Sequence, residues 1–212
     1  MHTANLPQYA IERGRLMHPP TMLDAARTAV LAIDFQRFFI DQDQPMGNVH
    51  ARDMLAAANR VHALVRDKGG LVIFTQHSMA AQTAQSERVV PTSEQALLPG
   101  SASYELHPAL TRTAQDVTLV KYQSSPLHPT AGTHLLELLR ARGVENLIIT
   151  GLVTNGCCDC TARDGFQYGF NMVVAADATA AMTDEEHHAA LLNLEIYYAR
   201  VLDADGIGVS LS

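Results

Sequence analysis

The residues of this chain that could do chemistry are an acid, a lysine and a cysteine that lie far apart in the sequence. Asp34, Lys121 and Cys157 each end, or closely follow, an apolar run that is typical of a buried strand. Open parallel sheets bind their ligands at the carboxyl ends of the strands, so we expect these three side chains to meet there. A carboxylate that accepts a proton, an ammonium group and a thiol that attacks a carbonyl carbon are together the parts of a nucleophilic hydrolase.

The segment before the cysteine strengthens this interpretation. Residues 151–156 form a turn between a predicted strand and a predicted helix that begins near Cys157. The free N–H groups and the dipole at the start of a helix favour an anion, which predicts a lowered pKa for the Cys157 thiol. Such a turn can direct backbone N–H groups at one point, as an oxyanion hole requires. Asp34 is then the base for the thiol, and Lys121 holds that carboxylate.

Each of these residues also has a purely structural interpretation. Asp34 alone would be a loop or capping residue, Lys121 alone a solvated charge, and a single cysteine a small buried side chain. The sulfur-rich segment could instead bind a soft metal ion, but adjacent cysteines do not easily place both sulfurs on one ion, and no C-x-x-C pair with a distant partner exists. We therefore expect Cys158 and Cys160 to pack along the helix as small apolar residues.

The apolar pattern predicts elements that alternate between strand and helix. Strands are predicted at residues 28–34, 71–75, 117–121, 146–150 and 172–176, with a short sixth strand near 207–209. Helices are predicted at residues 51–68, 133–142, 157–168 and 184–201. Such alternation gives right-handed βαβ units, so the predicted fold class is α/β: a doubly wound, mostly parallel sheet of five to six strands with helices on both faces. The long polar stretch 77–105 is typical of a lid or a site wall.

Length and composition predict one globular domain. The chain has 212 residues, of which 47% are hydrophobic and 17% charged. We expect a domain at residues 28–212, preceded by an irregular N-terminal arm at 1–27 that lies over the domain or over a neighbouring subunit. A net charge of −7 with scattered basic residues argues against a nucleic-acid partner. The sequence contains no apolar run of roughly 18 residues, which is the length that a membrane-spanning helix needs, and this argues against a membrane span. The clustered cysteines and the lack of a secretory start predict a cytoplasmic protein.

Three motifs, in this order, are shared with a known family. D-x-Q-x-x-F begins at Asp34, K-x-x-x-S begins at Lys121, and G-L-V-T-N-G-C-C-D-C-T-A-R-D begins at Gly151. With these motifs the chain resembles the isochorismatase-like cysteine hydrolase superfamily over about residues 28–202. That superfamily includes nicotinamidases, N-carbamoylsarcosine amidohydrolase and ureide-cleaving relatives.

The resemblance implies roles for particular residues. It implies a catalytic triad of Asp34, Lys121 and Cys157, and a cis peptide bond between Leu152 and Val153. It also implies that the backbone N–H groups of Val153 and Cys157 form the oxyanion hole. It further implies a small amide or ureide substrate, no cofactor, and assembly into a homodimer or a homotetramer. A broad apolar strip on the last helix also favours a second subunit.

The substrate pocket is expected around the triad. Its expected lining residues are Gln36, Phe39, His77, Ser125, Leu127 and Thr154. Nicotinamidases of the family carry an Asp-x-His metal motif after the second strand, whereas this chain reads F-T-Q-H-S there. We therefore expect no metal ion, and we interpret His77 as a wall of the pocket. Leu127 stands where the family usually has an aromatic residue, so the identity of the substrate stays open.

Two further functions remain as alternatives. One is the vinyl-ether hydrolysis of true isochorismatases, which lack the nucleophilic cysteine. The other is a catalytically silent binding scaffold of the same fold. Because Cys157 and both of its expected partners are present, the sequence favours an amidohydrolase. We expect it to cleave the C–N bond of a small amide, carbamoyl or ureido compound through a thioester, with release of ammonia or an amine.

Overall fold

Six parallel strands form one sheet in the computed structural model, which describes residues 2, 5–18, 22–80 and 97–212. The strands are β1 (Thr28–Ile33), β2 (Leu71–His77), β3 (Val117–Lys121), β4 (Asn146–Leu152), β5 (Asn171–Ala180) and β6 (Arg200–Leu202). Their order across the sheet is β3-β2-β1-β4-β5-β6, and every neighbouring pair is parallel. The chain thus winds one way from β1 and the other way from β4, which confirms the doubly wound class.

Eight helices accompany these strands in the described part of the chain. They are α1 (Gln8–Met17), α2 (Arg37–Ile40), α3 (Val49–Asp53), α4 (Leu55–Asp67), α5 (Leu135–Ala141), α6 (Asp159–Gln167), α7 (Asp184–Tyr197) and α8 (Ala204–Ser210). Residues of α4 and α8 share one hydrophobic core with one face of the sheet, and residues of α5, α6 and α7 share a second core with the other face. Because both faces are covered, β1 and β4 are buried along their whole length.

The N-terminal region differs from its prediction. We expected residues 1–27 to be irregular, but α1 forms within them and packs on α7 of the same chain. The Arg13 guanidinium donates a hydrogen bond to the Tyr197 hydroxyl at 3.0 Å. With Gly14 in its second half and no side chain that caps its start, α1 has little helical signal of its own, and tertiary packing stabilises it. It also covers part of the apolar α7 surface that favoured a second subunit.

The predicted strand near 207–209 is wrong. The sixth strand lies earlier, at β6, and residues 204–210 form α8 instead. The Asp203 carboxylate caps α8 by accepting a hydrogen bond from the Gly206 N–H at 2.7 Å. Ile207 is buried in the core while Val209 is exposed, so the apolar residues here follow the helical period.

The remaining differences concern boundaries. The predicted helix at 51–68 is two helices, α3 and α4, and the predicted helix at 184–201 ends at Tyr197. Residues 81–96 of the stretch expected to form a lid lie outside the described residues. Among the helices that are described, none has the length and apolar character that crossing a membrane would require.

Candidate active site

Asp34, Lys121 and Cys157 meet at the carboxyl edge of the sheet, beside the reversal of strand order between β1 and β4. The Lys121 Nζ lies 2.7 Å from the Asp34 Oδ2 and 3.5 Å from the Cys157 Sγ. Asp34 and Lys121 are fully buried, whereas Cys157 is partly exposed. A sealed carboxylate–ammonium pair therefore lies against a cysteine that keeps part of its surface exposed.

Asp34 is held by a residue that the sequence did not single out. Asp34 directly follows β1 and has a φ of +51°, which is uncommon for a residue other than glycine. Its N–H donates to the Thr75 hydroxyl at 3.2 Å, and that hydroxyl donates to the Asp34 Oδ1 at 2.8 Å. Thr75 thus fixes one carboxylate oxygen and leaves the other to Lys121. A polar residue inside a buried strand was the signal that could have identified it.

Lys121 is charged despite its burial. Burial opposes the charge, but the charge and hydrogen bond of Asp34 together with the contacts to Cys157 outweigh it and raise the pKa of the lysine. The ammonium group also donates to the Gln123 carbonyl oxygen at 3.0 Å and lies 3.3 Å from the His77 Nδ1. Burial and the nearby lysine lower the pKa of His77 to about 4, so its imidazole is neutral and can accept that hydrogen bond. His77 is buried beside the triad, directly opposite Lys121 in the pairing of β2 with β3.

The thiol itself is protonated in this environment. Burial raises the pKa of Cys157 to about 12; Lys121 works against this rise, and the Asp34 carboxylate adds to it. The expected lowering by a helix terminus is therefore wrong. The regular helix α6 begins only at Asp159, and desolvation dominates at the sulfur. A thiol in this state needs a base before it can attack, and Asp34 is the carboxylate within the cluster.

The turn between β4 and α6 has an unusual backbone. The peptide bond between Leu152 and Val153 is cis, and residues 154–158 form a π-helical turn. β4 approaches β1 so closely that a Cβ on Gly151 would lie 2.0 Å from the Ile33 carbonyl oxygen, so only glycine fits there. The N–H groups of Gly156 and Cys158 donate to the Val153 carbonyl. These two N–H groups are different from those of Val153 and Cys157, the predicted oxyanion donors.

Five of the six expected pocket residues are engaged with the protein itself, four of them close around the triad. Gln36 donates to the carbonyl oxygens of His77 and Tyr104 at 3.0 and 2.9 Å and accepts from the His77 N–H at 2.7 Å. The Ser125 hydroxyl accepts from the Leu127 N–H at 3.2 Å, and Leu127 is packed in the core. These residues brace the loops around the triad.

The remaining two expected pocket residues differ in surroundings. The Thr154 hydroxyl shares a hydrogen bond of 2.8 Å with the His187 Nδ1, and both residues are buried. Phe39 is partly buried in a small apolar cluster with Phe38 and Met79. Phe39 and Met79 therefore keep some exposed surface. Substrate contact by any of the six residues stays a prediction.

The metal motif of related nicotinamidases does not fit the residues after β2. Thr75 stands in the position of the motif's aspartate, and its hydroxyl is committed to Asp34. The His77 Nδ1 faces the Lys121 ammonium group at 3.3 Å, and a second cation would be repelled there. The local chemistry therefore disfavours a metal ion at this place.

Comparison with known proteins extends these observations. The sequence model of a protein family, the isochorismatase domain, matches residues 28–206 of this chain. Nicotinamidase 3 of Arabidopsis thaliana is 30% identical over 185 residues, which cover 86% of this chain and 88% of that protein. The ureidoacrylate amidohydrolase of Pseudomonas syringae pv. syringae is 34% identical over 216 residues, with 91% and 87% covered. A solved cysteine hydrolase of Pseudomonas syringae pv. phaseolicola has the same fold, with a TM-score of 0.83 at 24% identity over 92% of this chain and 98% of that one.

Proposed function

The chain belongs to the isochorismatase family, and on this premise we propose that it is a cysteine-dependent amidohydrolase. The substrate would be a small amide, carbamoyl or ureido compound, and the products an acid and ammonia or an amine. The observation that carries the proposal is the contact of one buried lysine with both other members of the triad, at 2.7 Å to Asp34 and 3.5 Å to Cys157. The relatives named as nicotinamidase and ureidoacrylate amidohydrolase support the same reaction class.

In the first half of the reaction, Asp34 takes the proton of the Cys157 thiol. The sulfur attacks the substrate carbonyl carbon, and a C–S bond forms as the carbonyl oxygen becomes an oxyanion. The N–H groups of Val153 and Cys157 would stabilise that oxyanion, and removal of one such donor typically costs about 3–4 kcal/mol of barrier. Lys121 keeps its proton and holds the carboxylate in place.

In the second half, Asp34 returns the proton to the departing nitrogen. The C–N bond breaks, ammonia or an amine leaves, and the acyl group remains on Cys157 as a thioester. Asp34 then takes a proton from water, whose oxygen attacks the thioester, and the acid is released as the thiol regains its proton. One carboxyl group therefore acts in turn as base, acid, base and again acid, when it returns the proton of water to the sulfur.

Two aspects of the proposal concern partners. We expect the reaction to need no metal ion, because the triad supplies a base, a cation and a nucleophile. A chelator should then leave turnover unchanged, and a loss that added zinc reverses would contradict this. The homodimer or homotetramer implied by the resemblance stays a prediction, and so does the cytoplasmic location predicted from the sequence; light scattering on the purified chain tests the first.

The experiment that tests the function is ammonia release from a panel of small amides and ureides. The native chain is compared with Cys157→Ala and with Cys158→Ala, which removes a neighbouring buried sulfur that has no part in the mechanism. We expect turnover of at least one compound class in the native chain and in Cys158→Ala, and none in Cys157→Ala. Full turnover in Cys157→Ala would contradict the mechanism. Release from no compound would favour vinyl-ether hydrolysis or a silent scaffold.

A further inference from the structure

A second cysteine lies on the same helical face as the proposed nucleophile. Cys157 and Cys160 are a C-x-x-C pair, and the two residues between them have regular helical backbone angles. Residues three apart on a helix have their Cβ atoms about 5–6 Å from one another. A disulfide needs a Cβ separation of roughly 3.5–4.5 Å, so a modest tightening of one turn brings these two cysteines within bonding distance.

The three cysteines differ in their surroundings. Cys158 is fully buried in the core, as predicted, whereas Cys160 is exposed and contradicts the expectation of apolar packing. Cys160 lines a cavity of about 250 Å³ together with Gln123. Since the carbonyl of Gln123 accepts a hydrogen bond from Lys121, this cavity and the triad share a wall. The exposed thiol of Cys160 is three residues from the proposed nucleophile, and Gln123 of its cavity contacts the triad, while the intervening Cys158 is sealed in the core.

We propose that Cys157 and Cys160 form a redox-sensitive modification site, in which a peroxide oxidises Cys157 and Cys160 then closes a reversible disulfide with it. The proposal rests on Cys157 being the reactive thiol of the proposed function. It goes beyond that function, because it assigns Cys160 a role that hydrolysis does not require.

The chemistry is balanced as follows. The Cys157 sulfur, after losing its proton to Asp34, attacks one oxygen of a hydroperoxide; the O–O bond breaks and an alcohol or water leaves. Sulfur has then lost two electrons and is a sulfenic acid. The Cys160 sulfur attacks it, an S–S bond forms and water leaves. An external dithiol reverses the reaction by thiol–disulfide exchange and is itself oxidised to a disulfide.

The local backbone is suited to this closure. Cys157 lies in the π-helical turn before α6, and Gly156 has φ −126° and ψ −105°, outside the helical range. Tightening would act on this irregular turn, in which the Cys157 carbonyl oxygen accepts a hydrogen bond from the Thr161 hydroxyl at 2.6 Å. A disulfide that must pull the turn tighter is strained and easily reduced, which makes it a reversible modification instead of a structural link. It would block hydrolysis and protect Cys157 from irreversible oxidation to the sulfinic acid.

The test treats the fully reduced chain with hydrogen peroxide and reads the sulfur atoms by intact mass and peptide mapping. In the native chain we expect loss of two hydrogen atoms and a cross-link between Cys157 and Cys160. After dithiothreitol, Cys157 should again be alkylated by iodoacetamide. In Cys160→Ser we expect no cross-link, a gain of two oxygen atoms on Cys157 and no recovery of alkylation. The matched control Cys158→Ala should behave as the native chain does.

Two results would overturn the proposal: no cross-link between Cys157 and Cys160 in the peroxide-treated native chain, or equal recovery of Cys157 in the native chain and Cys160→Ser. Alkylation and mass do not depend on a substrate, so the two proposals fail separately. A chain that cross-links but hydrolyses no compound keeps the redox site and loses the amidohydrolase assignment. A chain that hydrolyses amides but never cross-links does the reverse.

Discussion

The molecule buries two polar clusters near the turn after β4, and they deal with burial in opposite ways. In the first cluster, Asp34 and Lys121 form an ion pair at 2.7 Å. In the second cluster, the ring of His2 is stacked between the rings of His50 and His187, with centroids 4.0 and 4.2 Å apart. The first cluster holds an ion pair inside the protein. The second contains the fully buried imidazole of His187, which is neutral.

The difference follows from the partners that each cluster offers. A carboxylate and an ammonium group stabilise each other where water is absent. In the second cluster, burial and the neighbouring His2 lower the pKa of His187 to about 3, and its Nδ1 shares a hydrogen bond with the Thr154 hydroxyl. The first arrangement keeps a base and a cation ready for proton transfer. The second places a neutral imidazole against Thr154, in the turn that carries Cys157. This arrangement lowers the stability of the folded chain at acid pH.

The largest expected effect comes from removing the cation of the first cluster. In Lys121→Met the Asp34 carboxylate is left buried without its ion-pair partner, which typically destabilises a protein by about 3–5 kcal/mol. We expect a loss of that size in urea unfolding, together with a fall in kcat on the order of 10²–10³. The double variant Asp34→Asn with Lys121→Met should regain much of the stability but none of the activity. Native-like stability and turnover in the single variant would remove the pair from the account.

The next effect separates catalysis from thiol reactivity. Asp34→Asn removes the proposed base and acid, so turnover should fall about 10²–10⁴-fold. The Asp34 carboxylate raises the pKa of Cys157 and Lys121 lowers it, so the variant leaves the thiol facing a cation alone. Alkylation of Cys157 by iodoacetamide at pH 7 should therefore become faster than in the native chain, whereas the exposed control Asp43→Asn should change neither rate. Slower alkylation in Asp34→Asn would show that the electrostatics of the cluster are misassigned.

A smaller effect is the response of the second cluster to acid. The pKa of His187 is about 3 in the folded chain and near 6.5 in the unfolded one, so between these values only the unfolded state binds the proton. The free energy of unfolding should thus fall as the pH drops from 6.5 towards 3. Above pH 6.5 this group causes no change of stability with pH. The slope due to this one group approaches about 1.4 kcal/mol per pH unit.

The matching variant is His187→Gln, measured by urea unfolding from pH 7 to pH 4. The neighbours that bias His187 electrostatically are His2, His188 and Asp184. We expect a shallower loss of stability in His187→Gln than in the native chain, and an unchanged slope in the exposed control His134→Gln. Equal slopes in His187→Gln and the native chain would mean that this imidazole is protonated in the folded state.

The smallest effect is expected from His2, the N-terminal residue whose ring lies in the middle of the stack. His2→Ala removes the middle ring, the 2.5 Å contact of its Nδ1 with Asp184 and the 3.1 Å contact of its Nε2 with the Ala181 carbonyl. Asp184 is largely exposed, so the lost pair contributes little, and we expect about 1 kcal/mol of destabilisation. Thermal unfolding measures this, and the alkylation rate of Cys157 should stay native. A loss as large as that of Lys121→Met would mean that the two clusters are not distinct in kind.

The two clusters also show what sequence can and cannot reveal. Asp34 and Lys121 terminate or follow apolar strands, and the carboxyl-edge rule for parallel sheets places them together without any contact being known. The stacked histidines come from the N-terminal segment, from α3 and from α7, and no period or strand rule relates such positions. Their meeting depends on tertiary packing alone.

The same distinction applies to the secondary structure. The strand at Val117–Lys121 is predicted to the residue, because an apolar run between polar loops has few alternatives. α1 and α8 were missed because their local signals are weak and are overridden by packing and by the Asp203 cap. The pKa of Cys157 was predicted with the wrong sign, because the sequence shows the helix start but not the depth of burial.

The central claim is that Cys157 carries the acyl group during turnover, and trapping that group tests it most directly. A compound that the native chain hydrolyses is mixed with excess enzyme, and the reaction is quenched in acid within the first turnover. The mass of the peptide that contains Cys157 is then measured by mass spectrometry. We predict a mass increase equal to the acyl part of the substrate, located on Cys157, absent in Cys157→Ala and retained in Cys158→Ala. Turnover without any adduct on Cys157, together with ammonia release by Cys157→Ala, would contradict the account.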